Sequence, residues 1–345
     1  MNRKSPLALM LTPFHHMQRG NTVTTLRLQT ALRQRGFIVD LLSLEEKGWR
    51  DSLRKYLING KYSLVHGFNA RYFGGVLAEF PELQNLPLIL TTTGSDLNYD
   101  LKNVGRELVL TAFAVVEKII VFHDYFQKLI GDAYPEFCSK LSTIPQGIWL
   151  EERPPLKREM IGLAANNIVF ALPSGLRPVK DIELAIDGLQ RVYKDFPELR
   201  LLIIGPVIDQ DYGQKIKQRV KELNWVFYLG EVSHSEMGSY LSLADVILNT
   251  SRAEGQPQGL LEGMSRNKPA ILTAVPGNLD IIEEGRQGYY VRNQEELASA
   301  ARKMLSSAES RQRMGREAGK LVKEKFSLAR EIQSYEKLYR QVLKP

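Results

Sequence analysis

The sequence predicts an α/β protein made of two doubly wound parallel-sheet domains, and three observations carry that expectation. Short apolar, β-branched runs alternate with helix-length amphipathic stretches along the whole chain, the pattern of parallel sheets built from βαβ units. The length, 345 residues, divided by roughly 150 residues per domain, favours two cores. Hydrophobic residues at 43% and charged residues at 25% lie in the ordinary globular range, so both cores can be filled.

In the first half the candidate strands are Leu7 to Leu11, Ile38 to Leu42, Ser63 to His66, Leu88 to Thr92, Lys118 to Phe122 and Leu141 to Ile144. Helices such as Thr22 to Arg35 and Tyr125 to Ala133 separate them. The N-terminus has a basic start, a brief apolar run before Thr12 and Pro13 and no cleavage-site pattern, so it is expected as a strand, not a signal peptide. The most apolar stretch, Leu108 to Phe122, is broken by Glu117 and Lys118 and falls short of the about 18 apolar residues that a membrane span requires. A buried helix followed by a strand fits it. After Ile144 comes a Pro- and charge-rich stretch with weak periodicity. Alternation then restarts with strands at Ile168 to Leu172, Leu201 to Ile204, Val226 to Leu229, Val246 to Leu248, Ala270 to Leu272 and Tyr289 to Val291, before the chain turns helical. The expected division is a first domain over 1–150, joined by a C-terminal helix at 327–345, a linker at 151–166, and a second domain over 167–326. Ser233-x-x-Glu236 ahead of an apolar run reads as a capping box, and Asn267 as a left-handed helix end. Strand carboxyl ends of two such domains would line one interdomain cleft, where ligands bind.

Composition narrows the chemistry. The single cysteine, Cys138, supports neither an intrachain disulfide nor a thiolate metal cluster, and a cytoplasmic location is the expectation. The net charge of +7 suits phosphate-bearing ligands or peripheral contact with an anionic membrane, although a mildly basic solvated surface explains it as simply. No nucleic-acid motif accompanies it. No strand is followed by G-x-G-x-x-G and there is no G-x-x-x-x-G-K-[ST], which sets aside dinucleotide oxidoreductases and P-loop NTPases. Asp209-Gln210-Asp211 has the D-x-D form of a metal–phosphate motif, but acidic triplets before helices are commonplace, and the adjacent His15 and His16 diverge on an extended chain. No metal and no cofactor are expected.

The informative stretch is TSRAEGQPQGLLEGMSRNKPAIL at 250–272. It follows an apolar strand, places Glu254 in a loop, starts a helix near Gln258 and puts Glu262 one turn inside it. Backbone N–H groups at Gln258, Gly259 and Leu260 would lie at the positive helix end, which suits a phosphate, and two carboxylates beside it can grip hydroxyls. A sugar nucleotide has those parts. The plainer reading makes Ser251-x-x-Glu254 a cap and Glu262 a solvated helix residue. A second loop, PSGLRPVKD, places Gly175, Arg177 and Lys180 at another strand's carboxyl end, where two cations could neutralise a diphosphate without a metal.

Glu254 and Glu262 in E-x7-E spacing, the GLRPVKD loop and the order of strands resemble the retaining, GT-B-fold glycosyltransferases of family 4, and in particular the short branch of glycosyltransferase 1 domain-containing proteins. The resemblance is good over 165–325 and looser before it. It implies that Glu254 contacts the donor sugar, that Glu262 binds the ribose hydroxyls and that Arg177 and Lys180 hold the diphosphate. Leu229 to Val232 would form the base pocket, and Gly20 and Asn21 would be the glycine loop near the donor phosphates. The first domain would bind the acceptor and the second the nucleotide-sugar donor, with the C-terminal helix crossing back to the first. Where the family shows T-x-H-G-x-D, TTTGSD has Thr93 in the His position and keeps Gly94 and Asp96; Asp181 stands where a Gly follows the Lys. His66 and Arg71 are further pocket candidates beside Thr93 and Asp96. The implied activity is glycosyl transfer from a nucleoside diphosphate sugar to the hydroxyl of a lipid-linked or small-molecule acceptor. A GT-B-fold epimerase or hydrolase and a catalytically silent sugar-nucleotide-binding scaffold are the alternatives.

Overall fold

The computed structural model describes residues 7–14 and 20–343, and the chain divides into two compact units, Met1–Gly147 with Leu328–Pro345, and Ile148–Ser327. Unit 1 opens with strands β1 (Leu7–Thr12), β2 (Ile38–Ser43), β3 (Leu64–Phe68), β4 (Leu88–Thr91), β5 (Lys118–Val121) and β6 (Leu141–Thr143). Its helices are α1 (Gly20–Gln34), α2 (Trp49–Ile58), α3 (Ala70–Glu79), α4 (Ser95–Asn98), α5 (Arg106–Val115) and α6 (Asp124–Ala133). The strands form one parallel sheet in the order β2-β1-β3-β4-β5-β6. Helices on both faces leave no side of a central strand for water, which is why LVHGF and LILT are buried along their whole length.

Unit 2 repeats the plan with β7 (Ile168–Pro173), β8 (Leu199–Ile204), β9 (Val226–Gly230), β10 (Val246–Asn249), β11 (Ala270–Thr273) and β12 (Gly288–Val291). Its helices are α7 (Ile182–Tyr193), α8 (Gln210–Lys221), α9 (His234–Leu241), α10 (Gln258–Ser265), α11 (Gln294–Ser306) and α12 (Ala308–Lys325). The parallel order is β12-β11-β10-β7-β8-β9. One core lies on each face of this sheet, the first around Phe170, Leu201 and Trp225, the second around Ala171, Leu202 and Met264.

The chain then returns to unit 1 as α13 (Leu328–Val342), whose buried residues Glu331, Ile332, Tyr335, Leu338 and Tyr339 share one face. That face packs with Met10, Leu64, Phe68, Ile89 and Ile120. Glu331 is buried, and its carboxylate accepts from Arg27 of α1 at 3.1 and 2.7 Å. Removing either partner would leave a buried charge uncompensated.

Three expectations change. Helix α1 starts at Gly20, so Gly20 and Asn21 are the first residues of a helix and not a preceding loop. The stretch 151–166 is part of unit 2: Leu163 is buried, Leu156 and Ile161 pack on the core, and Arg158 donates to the Asn167 carbonyl at 2.7 Å and to Asp245 Oδ2 at 2.8 Å. Ser233 precedes α9 as expected, but its hydroxyl donates to the Glu236 carboxylate at 2.7 Å instead of capping a helix N–H. Asp209 of the D-x-D triplet is the N-cap of α8, its Oδ1 accepting from Tyr212 N at 2.9 Å. Asn267 adopts the left-handed conformation, φ 58°. His15 and His16 lie outside the described residues. Among those described, no helix is long and apolar enough to cross a membrane.

Candidate functional site

The order of strands in unit 2 reverses between β7 and β10, and in open parallel sheets ligands bind at the carboxyl ends on either side of such a reversal. The segment leaving β7 is Ser174 to Lys180, ending in a single 3-10 turn at Pro178–Lys180; the segment leaving β10 runs from Thr250 to the start of α10. These are the two loops singled out in the sequence, and the fold joins them. Arg252 N donates to the Val179 carbonyl at 2.8 Å, Thr250 Oγ1 to the Lys180 carbonyl at 3.0 Å, and Lys180 Nζ to Glu254 Oε1 at 2.5 Å.

Glu254 is 8% exposed, and the same Oε1 also accepts from Ser251 Oγ at 2.6 Å and Asn249 Nδ2 at 2.9 Å. Burial pushes its carboxyl up, but the Lys180 ammonium and the hydroxyl and amide donors outweigh that and hold it below the usual range. Glu254 is therefore a charged group inside the fold, with a cation delivered by the neighbouring loop. The plainer reading pairs Ser251 with Glu254 as a cap, and the two do bond, side chain to side chain; Asn249 was not legible as a partner, and Asn278 Nδ2, donating to Asn249 Oδ1 at 3.0 Å, extends the network from a segment that carries no motif. Asp181, which stands where the resembling family has a glycine, has φ 43°. Asp tolerates that region better than most side chains, and its carboxylate accepts from Arg252 Nε at 2.8 Å.

Arg177 is exposed, and its guanidinium has no partner among the described residues. Gly175 packs tightly: a Cβ there would lie 2.9 Å from Ile208, and the adjoining Leu176 N donates to the Pro206 carbonyl at 2.8 Å. Gly259 plays the same part at the start of α10, where an added Cβ would stand 2.8 Å from the Pro173 carbonyl oxygen. Absence of a side chain thus lets the positive end of α10 reach the end of β7. The expected trio of N–H groups reduces to two, because Gln258 N already donates to the Gln256 carbonyl at 3.0 Å; those of Gly259 and Leu260 have no partner among the described residues. The Leu260 side chain is buried in the core, leaving only its backbone for a ligand.

One turn further, Glu262 Oε1 accepts from His234 Nε2 at 3.1 Å, and the His234 ring stacks on Trp149 at 5.4 Å between centroids. Neither His234 nor Trp149 was singled out in the sequence; the partner of the Glu262 carboxylate lies 28 residues away, and Trp149, which stacks on that partner, lies further still. Leu229 lies near the end of β9 and Val232 in the loop before α9, both half-buried against the core. Among the described residues, no group of three or more His, Cys, Asp or Glu is placed to hold a metal ion.

The unit 1 candidates fare differently. His66 is fully buried, with Nδ1 2.7 Å from Tyr339 Oη and Nε2 2.7 Å from Thr91 Oγ1, and burial lowers its pKa to about 3. It is a core residue joining α13 to the sheet and no pocket group, because both ring nitrogens are occupied. Asp96 is likewise fully buried and accepts from the backbone N–H groups of Ala70, Thr93, Gly94 and Leu97. It organises the TTTGSD turn and presents nothing to a ligand. Thr93 is half-buried, its hydroxyl accepting from Asn69 Nδ2 at 2.8 Å. Arg71 is exposed on α3, 3.3 Å from Asp100. Gly20 and Asn21 are placed as the opening residues of α1.

Residues 155–321 match the family described as Glycosyl transferases group 1. Over 330 residues the chain is 22% identical to Glycosyltransferase 1 domain-containing protein 1 of Xenopus tropicalis, an alignment covering 92% of this chain and 93% of that protein. It is 24% identical over 293 residues to the UDP-Gal:alpha-D-GlcNAc-diphosphoundecaprenol alpha-1,3-galactosyltransferase of Escherichia coli, covering 79% of this chain and 71% of the relative. The crystal structure of Anabaena Alr3699/HepE in complex with UDP and glucose superposes with a TM-score of 0.80 at 18% identity, covering 97% of this chain and 100% of that one. Two parallel six-stranded sheets flanked by helices make the fold GT-B.

Proposed function

From the match of residues 155–321 to the Glycosyl transferases group 1 family, we propose that the chain is a glycosyltransferase that moves a sugar from a nucleoside diphosphate sugar to an acceptor hydroxyl, with retention and without a metal ion. The observation that carries the proposal is the meeting, at the strand reversal of unit 2, of the Lys180–Glu254 pair with the open N–H groups of Gly259 and Leu260. A diphosphate seated there receives two backbone donors and the positive end of α10, with Lys180 and the unpartnered Arg177 as its counter-cations.

Each residue then has one task. Glu254, kept ionised, accepts hydroxyl hydrogens of the donor sugar; Glu262 accepts those of the ribose; backbone groups between Leu229 and Val232 read the base. As the bond from the sugar's anomeric carbon to the diphosphate breaks, its electron pair stays on the departing phosphate oxygen, where Arg177, Lys180 and the helix N–H groups stabilise it. The acceptor oxygen bonds to the same face of the sugar and its proton passes to that phosphate oxygen, so no carboxylate acts as a covalent nucleophile. The relatives named with UDP and UDP-galactose make UDP the first nucleotide to test. The acceptor is a lipid-linked or small-molecule hydroxyl, reached at most through peripheral membrane contact, and a lone exposed cysteine fits the cytoplasm.

The test is the thermal unfolding midpoint with UDP, GDP, ADP, CDP and their sugar conjugates in EDTA. Ligand at about 100 times its Kd adds roughly 2.7 kcal/mol, a rise of a few degrees. A selective rise that survives EDTA and is lost in Arg177→Ala supports the proposal, and no rise with any nucleotide overturns it. Donor consumed without acceptor would indicate an epimerase or hydrolase; donor bound and never consumed would indicate a scaffold.

A further inference from the structure

The segment by which the chain enters unit 2 is fastened first to the residue that follows α12 and then along α9 and the end of α10. Ile148 N donates to the Phe326 carbonyl at 2.8 Å, Arg266 Nη2 to the Glu151 carbonyl at 3.2 Å, Ser239 Oγ to the Pro154 carbonyl at 2.8 Å and Leu156 N to the Ser239 carbonyl at 3.4 Å. Trp149 sits in this segment with its indole lying on the His234 ring, 27° from parallel. His234 is the first residue of α9, and among the described residues its Nε2 is the one side-chain donor to the Glu262 carboxylate. The Glu262 side chain is 12% exposed and that of His234 is 19% exposed, so both are largely withdrawn from water without being sealed off.

A glutamate that must present its lone pairs to a pair of vicinal hydroxyls works best in one rotamer, and an unrestrained glutamate loses freedom on binding. The imidazole supplies that restraint here: pinned by its helix on one side and by the indole on another, it holds Oε1 and leaves Oε2 to turn toward a ligand. We propose that His234, braced by Trp149, is a positioning residue that orients Glu262 for the ribose hydroxyls of the donor. This rests on the ribose role proposed for Glu262 above. Nucleotide affinity is then set in part by residues of the entering segment that touch no ligand.

The experiment is calorimetric titration of the full chain with UDP, GDP, ADP and CDP, each beside its 2′,3′-dideoxy analogue, for wild type, His234→Ala, His234→Gln and Trp149→Ala. The expected result is a loss of about tenfold in affinity for the selected nucleotide in His234→Ala, the scale of a hydrogen bond to a charged group. His234→Gln, which keeps an N–H at the reach of Nε2, recovers most of it, and Trp149→Ala loses about threefold. The dideoxy analogue, which Glu262 cannot grip, binds wild type and His234→Ala alike, a coupling that a merely structural role would not produce. In steady state, KM for the donor rises and kcat is little changed. Equal weakening of both ligands in His234→Ala, or no weakening at all, overturns the inference while leaving the donor site intact. Wild type that binds the dideoxy analogue as tightly as the parent nucleotide removes the ribose role of Glu262 and this inference with it; wild type that binds none of the nucleotides removes the donor reading itself.

Discussion

Each sheet carries a buried carboxylate in the segment beyond one of its central strands, Asp96 in α4 after β4 in unit 1 and Glu254 in the loop after β10 in unit 2, and the two are held in opposite ways. Asp96 is surrounded by peptide N–H groups, and burial still raises its pKa to about 6. Glu254 is held by the side chains of Lys180, Ser251 and Asn249 and titrates below the usual range. A carboxylate fixed by backbone cannot change partners without unmaking its turn. One fixed by an ammonium and a hydroxyl can, since those donors swing on rotatable bonds. The histidines differ in another respect: His66 has a partner on each nitrogen in a dry core, whereas His234 has one carboxylate and an exposed indole. Side-chain partners alone do not mark a site, since His66 and the Arg27–Glu331 pair have them inside the core; what sets Glu254 apart from Asp96 is that its donors can move without unmaking a turn.

The contrast can be broken from either side. Glu254→Gln should lower kcat/KM by about 1000-fold, roughly 4 kcal/mol, while the unfolding free energy stays within about 1.5 kcal/mol of wild type. Steady-state kinetics beside urea titration would reveal the reverse pattern if Glu254 were scaffold. Asp96→Ala should do the opposite, costing about 3 kcal/mol of stability by stranding peptide N–H groups, seen as a lower urea midpoint at unchanged slope.

The pH dependence sharpens it further. His66, held neutral with a pKa lowered to about 3, contributes stability that is complete above pH 6.5 and is lost as pH falls, because the unfolded chain takes the proton first. Asp96, raised to about 6, works the other way: its penalty is complete above pH 6 and fades as pH falls toward about 4, because the folded state takes the proton first. Between these limits the two slopes, each about 1.4 kcal/mol per pH unit, oppose one another. Asp96→Asn should therefore show stability falling by about 1.4 kcal/mol per unit from pH 6 to pH 4 where wild type is flatter, measured by urea unfolding across that range. Gly259→Ala, forced against the Pro173 carbonyl, should cost about 2 kcal/mol and weaken nucleotide binding by displacing α10. The smallest change is expected from Arg252→Ala, whose exposed pairing with Asp181 is worth under about 1 kcal/mol.

The sheets were legible because buried parallel strands announce themselves: LILT, VILN and AILT are apolar without alternation, and each lies where the pattern put it. The two candidate loops were legible because each departs from a strand end with charge and glycine in a short span. Burial by distant chain was not. Whether His66 faces a ligand or a core depends on Tyr339, 273 residues later, and the loss of Asp96 to the fold depends on the peptide N–H of Ala70. Local turn geometry hid the rest. The Gln256 carbonyl folds back onto Gln258 N–H, and Ser233 prefers the Glu236 carboxylate to a helix end. His234 carries no spacing signal toward Glu262, since the loop, strand and turn between them can take any length.

The buried Arg27–Glu331 pair has a consequence for how the chain is made. Arg27 belongs to α1 and leaves the ribosome early, but its carboxylate partner is synthesised only after all of unit 2, 304 residues later. At roughly 5–20 residues per second, that is an interval of some fifteen to sixty seconds. Through it the nascent first unit holds an unneutralised guanidinium and an apolar sheet face around Met10, Leu64 and Phe68 that awaits Tyr335 and Tyr339. Unit 2, continuous in sequence, can close on its own in that time. The half of the molecule translated first is thus the half completed last.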